Sequence, residues 1–264
     1  MENGFGGLRV REEAGALMLR VDVLLVEQGL APSRTTAQGM IAAGRVSSAG
    51  RVISKASLKL AQDCVLQLAA DESDRFVSRG GFKLAGALAQ AGVDVAGMQV
   101  LDVGISTGGF SDCLLQAGAR KVIGVEVGHG QLHPRLLADR RIVQFEGVNA
   151  RHLSPELIAS AQDGPLQLIV GDVSFISLTL ILPALRSMLQ PQAALLFLVK
   201  PQFEVGKAGI ARGGIVKNES LYAEVEAKIK TAAIAAGFSV KDYFASSING
   251  GDGNREFFIY ALAL

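Results

Sequence analysis

From residue 100 onward, short apolar runs of strand length alternate with segments that have the period of amphipathic helices. The runs of strand length are 100–103, 121–127, 142–145, 166–172, 194–200, 238–245 and 256–263. The helical segments are 110–117, 178–189 and 222–236. This alternation is typical of α/β folds, in which a mostly parallel sheet carries helices on both faces. A Gly-rich turn joins the last two runs, so we expect them to pair antiparallel.

A smaller patterned unit precedes the α/β region. Leu24 and Leu25 fall on one face of a short helix, and Ser33 is a good N-cap for a second helix. Residues 45–53 have the pattern of a hairpin, and 65–68 that of a closing strand. The sequence therefore predicts a disordered extension over 1–17, a small α+β domain over 18–70, a linker over 71–77 and an α/β domain over 78–264.

Charge is spread unevenly over a chain whose net charge is only +1. Residues 19–70 contain six lysines and arginines against three acidic residues. Charged residues are 19% of the whole, which argues against a globally disordered chain and against a histone-like polycation. Any affinity for nucleic acid must therefore come from a local patch.

Several site classes and locations are disfavoured by the sequence. The central apolar run 193–199 ends at Lys200, well short of the roughly 20 residues that a membrane-spanning helix needs. The first twenty residues include acids and lack a clean apolar stretch, unlike a signal peptide. Two cysteines exclude a disulfide framework, and the three histidines lack metal-ligand spacing. We expect a cytoplasmic protein without a metal site.

A Gly-rich turn over 102–110 follows the first strand of the α/β region and opens a helix. Ligands of doubly wound sheets bind at such turns, and Glu126, about 20 residues later, can accept hydrogen bonds from both hydroxyls of a ribose. A dinucleotide fingerprint would need glycine at position 106, where this chain has Ser106. Asp102 would sit poorly beside phosphates but suits a ligand with an ammonium group. The turn thus favours S-adenosylmethionine over NAD, although a tight turn with an unrelated surface glutamate is the simpler alternative.

Four charged residues stand at the ends of different predicted elements. Asp172 and Lys200 end the fourth and fifth strands, Glu256 begins the last strand, and Lys83 lies on a helix that begins near residue 79. A single lysine at a strand end is usually only exposed structure. Together, the four suit a catalytic cluster at the same cleft as the cofactor.

Several motifs resemble two known families. Residues 20–25, 33–37 and 44–46 resemble the RNA-binding fold named after ribosomal protein S4, and the remainder resembles the FtsJ-type ribose 2′-O-methyltransferases. The combination is similar to the TlyA (haemolysin A) family of rRNA methyltransferases over residues 19–264. The motifs that carry this likeness are 78–84, 102–110, 172–177, 199–204 and 253–257.

The resemblance implies a Rossmann-like class I methyltransferase sheet with an antiparallel last strand, and it implies functional residues. The family's catalytic tetrad corresponds to Lys83, Asp172, Lys200 and Glu256. The expected cofactor-binding residues are Asp102, Gly104, Ser106, Gly108, Gly109, Phe110, Glu126, Asn149 and Asp172. The expected RNA-binding residues are Arg20, Arg34, Arg45, Arg51, Lys55, Lys207 and Arg212, the last two on a Gly-rich basic loop.

Two departures from the family pattern bear on the site. Ile105 stands where a small residue is usual, which we expect to narrow the methionine end of the pocket. Ser247 and Gly251 replace prolines, so the loop that presents Glu256 is expected to be looser.

The expected reaction needs a proton acceptor, because a ribose hydroxyl is a very weak acid. We expect Lys200 to be that base, Asp172 and Glu256 to orient it, and Lys83 to hold the hydroxyl. The expected partners are ribosomal RNA or ribosomal subunits. A non-catalytic RNA-binding factor, a membrane-active haemolysin-like protein and, more distantly, an NAD oxidoreductase are the alternatives; the oligomeric state is left open.

Overall fold

The computed structural model describes residues 17–264, which divide into two compact units between Glu72 and Ser73. The extension predicted over 1–17 lies outside the described residues, apart from Leu17. Among the described residues, no helix combines the length and the apolar character needed to cross a membrane.

The first unit is a small α+β fold. Its elements are β1 (Met18–Arg20), α1 (Val21–Glu27), α2 (Arg34–Ala42), β2 (Val46–Ser48), β3 (Arg51–Val52), β4 (Lys59–Ala61) and β5 (Gln67–Leu68). Strand β2 pairs antiparallel with β3 and with β5, as the predicted hairpin and closing strand require. The side chain of Ser33 accepts a hydrogen bond from Thr36 N, which confirms the predicted N-cap. The pairing of β1 with β4 was not predicted, because strands of three residues carry little pattern.

The second unit is built around a seven-stranded sheet. Its strands are β6 (Gln99–Val103), β7 (Lys121–Glu126), β8 (Ile142–Glu146), β9 (Leu168–Gly171), β10 (Ala194–Val199), β11 (Phe238–Ala245) and β12 (Phe257–Ala263). Its α-helices are α3 (Gly80–Ala91), α4 (Gly109–Gln116), α5 (Pro134–Leu137), α6 (Pro155–Ile158), α7 (Leu182–Ser187) and α8 (Ser220–Ala235).

The strand order is β11-β12-β10-β9-β6-β7-β8, and β12 runs antiparallel to both of its neighbours. Alternate residues of the central strands enter two separate cores. Leu101 and Val103 pack with residues of α6, α7 and α8, whereas Val100 packs with residues of α3, α4 and α5. Helices therefore cover both faces, and the predicted α/β sheet with an antiparallel last strand is confirmed.

The predicted helix over 178–189 is wrong in its first half. Residues Leu178–Leu180 form a 3₁₀ turn, and the α-helix begins only at Leu182. Pro183 lies in the first turn of that helix. Proline has no backbone N–H and therefore fits a helix start but not the middle of a continuous helix.

Candidate active site

The topology of the sheet brings four charged side chains to one edge. Asp172 and Lys200 directly follow β9 and β10, which are parallel neighbours. Strand β12 is antiparallel, so its first residue, Phe257, pairs with Val199 at the end of β10. Glu256 consequently stands beside Lys200 at the carboxyl edge of the parallel strands. Lys83 reaches the same edge from the first turn of α3.

The four side chains form a continuous chain of ion pairs. Lys83 Nζ lies 2.6 Å from Glu256 Oε2 and 3.7 Å from Asp172 Oδ2, and Lys200 Nζ lies 2.5 Å from Asp172 Oδ1. The exposed fraction of these side chains runs from 3% for Glu256 to 23% for Asp172. Two lysines are thus balanced by two carboxylates, of which Lys83 and Glu256 are buried and Lys200 and Asp172 partly buried. Such pairing is what charges withdrawn from water need. We call these four residues the tetrad.

Ser174 and Glu204 support this arrangement, and the sequence did not indicate either role. Lys200 Nζ donates a hydrogen bond of 2.8 Å to Ser174 Oγ. The Glu204 side chain is 2% exposed and accepts hydrogen bonds from Ser177 Oγ, Leu178 N and Lys228 Nζ at 2.6–2.8 Å. Glu204 therefore ties the segment that follows Asp172 to the turn that follows Lys200.

A cleft of about 730 Å³ opens beside the tetrad at the ends of β6, β7 and β9; we call it the first cleft. Its size is typical of small-molecule sites. Of the expected cofactor residues, it is lined by Gly104, Ser106, Gly109, Phe110, Glu126, Asn149 and Asp172.

Glu126, at the end of β7, is a hydrogen-bond acceptor in the wall of the first cleft. The residue is 9% exposed, its Oε2 accepts from Ser106 N at 3.0 Å, and its Oε1 accepts from Gly128 N at 2.9 Å. Each carboxylate oxygen can accept more than one hydrogen bond, so capacity remains for two hydroxyl groups of a ligand. Val127, Val148 and Ala150 add apolar walls on the same side.

The glycines of the turn are required by the protein's own packing. Gly104 has φ +82°, and a Cβ there would lie 2.7 Å from the backbone oxygen of Asp172. Gly108 has φ +93°, and a Cβ there would lie 2.2 Å from Leu136 Cδ1. A side chain at either position would be strained and crowded at once. Gly104 thus lets the backbone at Asp172 come close to the turn, and Gly108 leaves room for the side chain of Leu136.

Asp102 lies beneath the first cleft rather than on its wall. It is 1% exposed, it is absent from the lining, and Ser111 Oγ donates to its Oδ2 at 2.7 Å. Its Oδ1 is buried without a hydrogen-bond partner among the described residues. Burial raises the pKa of the Asp102 carboxyl to about 7, and the charges of Asp172 and Glu126 act in the same direction, while the bond from Ser111 opposes them.

The buried Asp102 predicts a pH-dependent stability. Its folded pKa exceeds the ordinary value, so the folded state holds the proton more tightly and loses stability as the pH rises from about 4 to 7. Asp102→Asn keeps the acceptor for Ser111 but cannot ionise. Between pH 5 and pH 8 we expect the variant to gain roughly 2–3 kcal/mol relative to the wild type in urea unfolding. The exposed control Glu224→Gln should show no such gain, and equal pH profiles of Asp102→Asn and wild type would contradict the assignment.

The structure shows where Ile105 and Ser247, two of the departures from the family pattern, lie. Ile105 is 3% exposed and its side chain packs over Gly124, where a Cβ would lie 2.4 Å from Ile105 Cδ1. It also lines the first cleft, so the narrowing expected at the methionine end stays a prediction. Ser247 Oγ donates to Phe82 O at 3.4 Å, a contact that ties the loop before Glu256 to α3.

The basic residues expected to bind RNA lie in different settings. Asp22 is fully buried and accepts hydrogen bonds from Arg20, Arg34 and Gln38, and these bonds hold the pKa of its carboxyl well below the ordinary value. Arg20 and Arg34 are thus held in place by an ion pair that sequence reasoning missed. Arg45 is partly buried and donates two hydrogen bonds to Ala69 O. The other basic residues are exposed on their respective units: Arg51, Lys55, Lys207 and Arg212.

The Gly-rich loop that carries Lys207 and Arg212 is tied down at two points. An isolated bridge joins Ile210 to Val216, and the buried Asn254 donates from its side chain to Gly214 O at 3.0 Å. Neither basic side chain of this loop lines the first cleft.

A second cleft of about 300 Å³ adjoins the first at the tetrad, and the two share Lys83, Ser174, Phe175, Lys200 and Gly251. Its wall includes the rings of Phe175 and Phe203, whose centroids are 5.1 Å apart. Phe175 is 90% exposed and has φ +64°, a backbone conformation that is strained for a bulky residue. An aromatic side chain kept in water at the cost of strain indicates a ligand contact.

Comparison with known proteins agrees with this geometry. The model of the FtsJ-like methyltransferase family matches residues 76–262, and that of the S4 domain matches residues 19–63. The chain is 42% identical to “Putative rRNA methyltransferase YqxC” of Bacillus subtilis over 91% of this chain and 84% of that protein. It is 41% identical to “16S/23S rRNA (cytidine-2'-O)-methyltransferase TlyA” of Mycobacterium tuberculosis, over 91% and 88% of the two chains.

A solved structure extends the similarity to the fold. “Putative hemolysin from Streptococcus thermophilus” has a TM-score of 0.71 and 39% identity, covering 94% of this chain and 90% of that one. The two matched domains, the fold of the sheet and the sequence identity over most of the chain all indicate the same family. The chain belongs to the FtsJ-like methyltransferases, in the group that joins this fold to an amino-terminal S4 domain and includes TlyA.

Proposed function

We propose that this protein transfers a methyl group from S-adenosylmethionine to a ribose 2′-hydroxyl of ribosomal RNA. The observation that carries the proposal is the tetrad, a partly buried row of alternating lysines and carboxylates at the junction of two clefts. The name of the Mycobacterium tuberculosis relative supports cytidine as the target nucleotide. A ribosomal substrate also supports a cytoplasmic location.

The first cleft fits S-adenosylmethionine by the chemistry of its groups. Glu126 would accept hydrogen bonds from the ribose hydroxyls, and Val127, Val148 and Ala150 would pack against the adenine. When bound, this cofactor supplies a methyl group on a positively charged sulfur that is open to nucleophilic attack. The Ser106 side chain stands where a dinucleotide pyrophosphate would need bare backbone, which argues against NAD.

Each residue of the tetrad would have a separate role in the transfer of one proton from the ribose hydroxyl. The Lys200 ammonium would first release a proton to solvent. Its Nζ, then a free amine, would take the proton of the attacking hydroxyl, and Asp172 at 2.5 Å would stabilise the ammonium that results. Lys83, held at 2.6 Å by Glu256, would remain charged and support the developing negative oxygen. Ser174 would fix the position of Lys200 through its hydrogen bond.

The second cleft and the first unit, residues 17–72, would bind the RNA. The exposed ring of Phe175 offers a nucleobase a stacking surface next to the tetrad. Arg20 and Arg34, fixed by Asp22, would contact phosphates together with Arg45 and the exposed Arg51 and Lys55.

The decisive test is methyl transfer itself. Purified 30S and 50S ribosomal subunits are incubated with the protein and methyl-labelled S-adenosylmethionine, and the RNA is digested and analysed by mass spectrometry of nucleosides. The proposal expects a 2′-O-methylated nucleoside at one site or a few. Binding to subunits with no label in the RNA would instead favour a non-catalytic RNA-binding factor.

Glu126 provides a separate test of the first cleft. We expect Glu126→Ala to weaken S-adenosylmethionine binding by roughly 1–3 kcal/mol in calorimetry, because charged hydrogen bonds to the ribose are lost. Glu146 is the matched control, since it pairs with Glu126 in the sheet register and also accepts a backbone N–H but does not line the cleft. Equal losses for Glu126→Ala and Glu146→Ala would contradict a ribose-binding role.

A further inference from the structure

Gln202, at the second cleft, has a buried side-chain oxygen that finds no hydrogen-bond partner among the described residues. It lies in the 3₁₀ turn Pro201–Phe203 that directly follows Lys200, and it is 9% exposed. Its Oε1 is buried without a partner, and no hydrogen bond joins its side chain to any other residue within 17–264. Buried polar groups are satisfied in the great majority of cases, so an unsatisfied amide beside a cleft indicates a ligand that supplies the missing partners.

The second cleft gives that amide chemically distinctive surroundings. Gln202 is part of the cleft wall together with Phe175 and Phe203, and the same cleft contains both lysines of the tetrad. Aromatic rings offer stacking surfaces, and an amide offers a donor and an acceptor side by side. A flat heterocycle with donors and acceptors on its edge, which is a nucleobase, fits such a combination.

We infer that Gln202 recognises the base of the nucleotide whose ribose is methylated, and so contributes to the choice of target. This inference rests on the proposed function. The amide pairs with the Watson–Crick edge of the base, one group donating and the other accepting, while the ribose of the same nucleotide faces the tetrad. Gln202 is a specificity-determining residue and takes no part in the proton transfer.

The position of Gln202 in the chain supports the assignment to a single nucleotide. Gln202 and Lys200 are two residues apart, so their Cα atoms are separated by at most about 7 Å. The 2′-hydroxyl and the Watson–Crick edge of one nucleoside are groups of the same small molecule at a comparable separation. Gln202 can therefore contact the base while Lys200, in the same short turn, contacts the ribose of the same nucleotide. Burial of Pro201 and Gln202 keeps that turn fixed.

The size of the base preference that Gln202 contributes follows from the cost of unpaired polar groups. A wrong base leaves the buried Oε1 of Gln202 without a donor, and a Gln202 variant without the amide leaves the polar edge of the base without a partner. Such mismatches discriminate strongly between ligands. A bidentate contact between an amide and a base corresponds to a preference of about 10-fold or more.

The test compares target preference between the wild type and Gln202→Leu. Nucleoside mass spectrometry first identifies the nucleotide that the wild type methylates. Four transcripts of the surrounding rRNA domain are then made that differ only at that nucleotide. We expect the wild type to prefer one transcript, and Gln202→Leu to lose about 10-fold or more in kcat/KM on that transcript while the other three change less than about twofold. Gln190→Leu, the same change at an exposed position, should keep the full preference.

A second variant guards against a folding defect. Gln202→Met has a similar length and volume, adds no charge beside the tetrad lysines and lacks the amide, so it should also reduce the preference selectively. The dissociation constant for S-adenosylmethionine is measured for each variant and should remain that of the wild type. A uniform loss on all four transcripts, or an undiminished preference in both variants, would overturn the inference and leave the proposed function standing. A wild-type protein that methylates no ribosomal RNA would overturn both.

Discussion

Replacing Lys200 with alanine is expected to slow a single turnover of methyl transfer by about 100-fold or more and to leave cofactor binding nearly unchanged. The magnitude is that of a lost general base. Lys200 Nζ faces the first cleft but contacts Asp172 and Ser174, not Glu126, so its removal does not disturb the proposed ribose contact. Single-turnover kinetics and calorimetry on the same protein separate the two effects.

Arginine at position 200 distinguishes a base from a structural cation. We expect Lys200→Arg to be nearly as inactive as Lys200→Ala, because a guanidinium stays protonated and cannot accept a proton. A lysine that only balanced Asp172 would be replaced well by arginine, and much of the activity would return. Lys241→Ala, a change at an exposed lysine of β11, should leave the rate unaltered. An active Lys200→Arg variant would therefore contradict the base assignment.

The convergence of the tetrad could be predicted because it follows from sheet topology. Asp172 and Lys200 end parallel strands, and such ends meet at one edge whatever the side chains are. Glu256 joins them only because β12 is inserted antiparallel next to β10, which the Gly-rich turn between the last two strands indicates in part. Lys83 comes from a helix outside the sheet, and its place in the cluster depended on the resemblance to a family.

The direction of a side chain in a fully buried strand could not be predicted. All five residues of β6 are buried, so no alternation of apolar and polar residues shows which side faces the ligand. Asp102 was therefore expected on the cleft wall, whereas the structure places it below, bonded to Ser111. The sequence could not predict that Gln202 Oε1 lacks a hydrogen-bond partner, because that depends on the groups that every neighbouring element places around it.

The role of Glu204 required contacts that the linear sequence does not reveal. Its three donors lie 24 to 27 positions away, on the segment after β9 and on α8. The motif that contains Glu204 was recognised, but its position next to Lys200 indicated a catalytic neighbourhood and not an anchor. In the structure, Glu204 lies behind the tetrad and holds the backbone that carries Asp172 and Ser174.

We expect Glu204→Ala to lower the free energy of unfolding by about 2–4 kcal/mol, because it leaves Leu178 N buried without an acceptor and opens a cavity. It should also slow methyl transfer, since the segment from Asp172 to Ser177 loses its tie to the turn after Lys200. Glu204→Gln keeps the volume and an acceptor for Leu178 N, so its loss of stability should be smaller. Urea unfolding and single-turnover kinetics measure the two effects on the same samples.

A variant at Lys228 tests whether Glu204 stabilises the protein through its ion pair or through its hydrogen bonds to Ser177 and Leu178. Its side chain is 43% exposed, so its ion pair with Glu204 is weakened by water, and Lys228→Met should lower the free energy of unfolding by less than about 1 kcal/mol. The expected order of destabilisation is Glu204→Ala, then Glu204→Gln, then Lys228→Met. If Lys228→Met were as damaging as Glu204→Ala, the ion pair would be the main contribution. The expected order instead requires that the hydrogen bonds to Ser177 and Leu178 hold the catalytic segment in place.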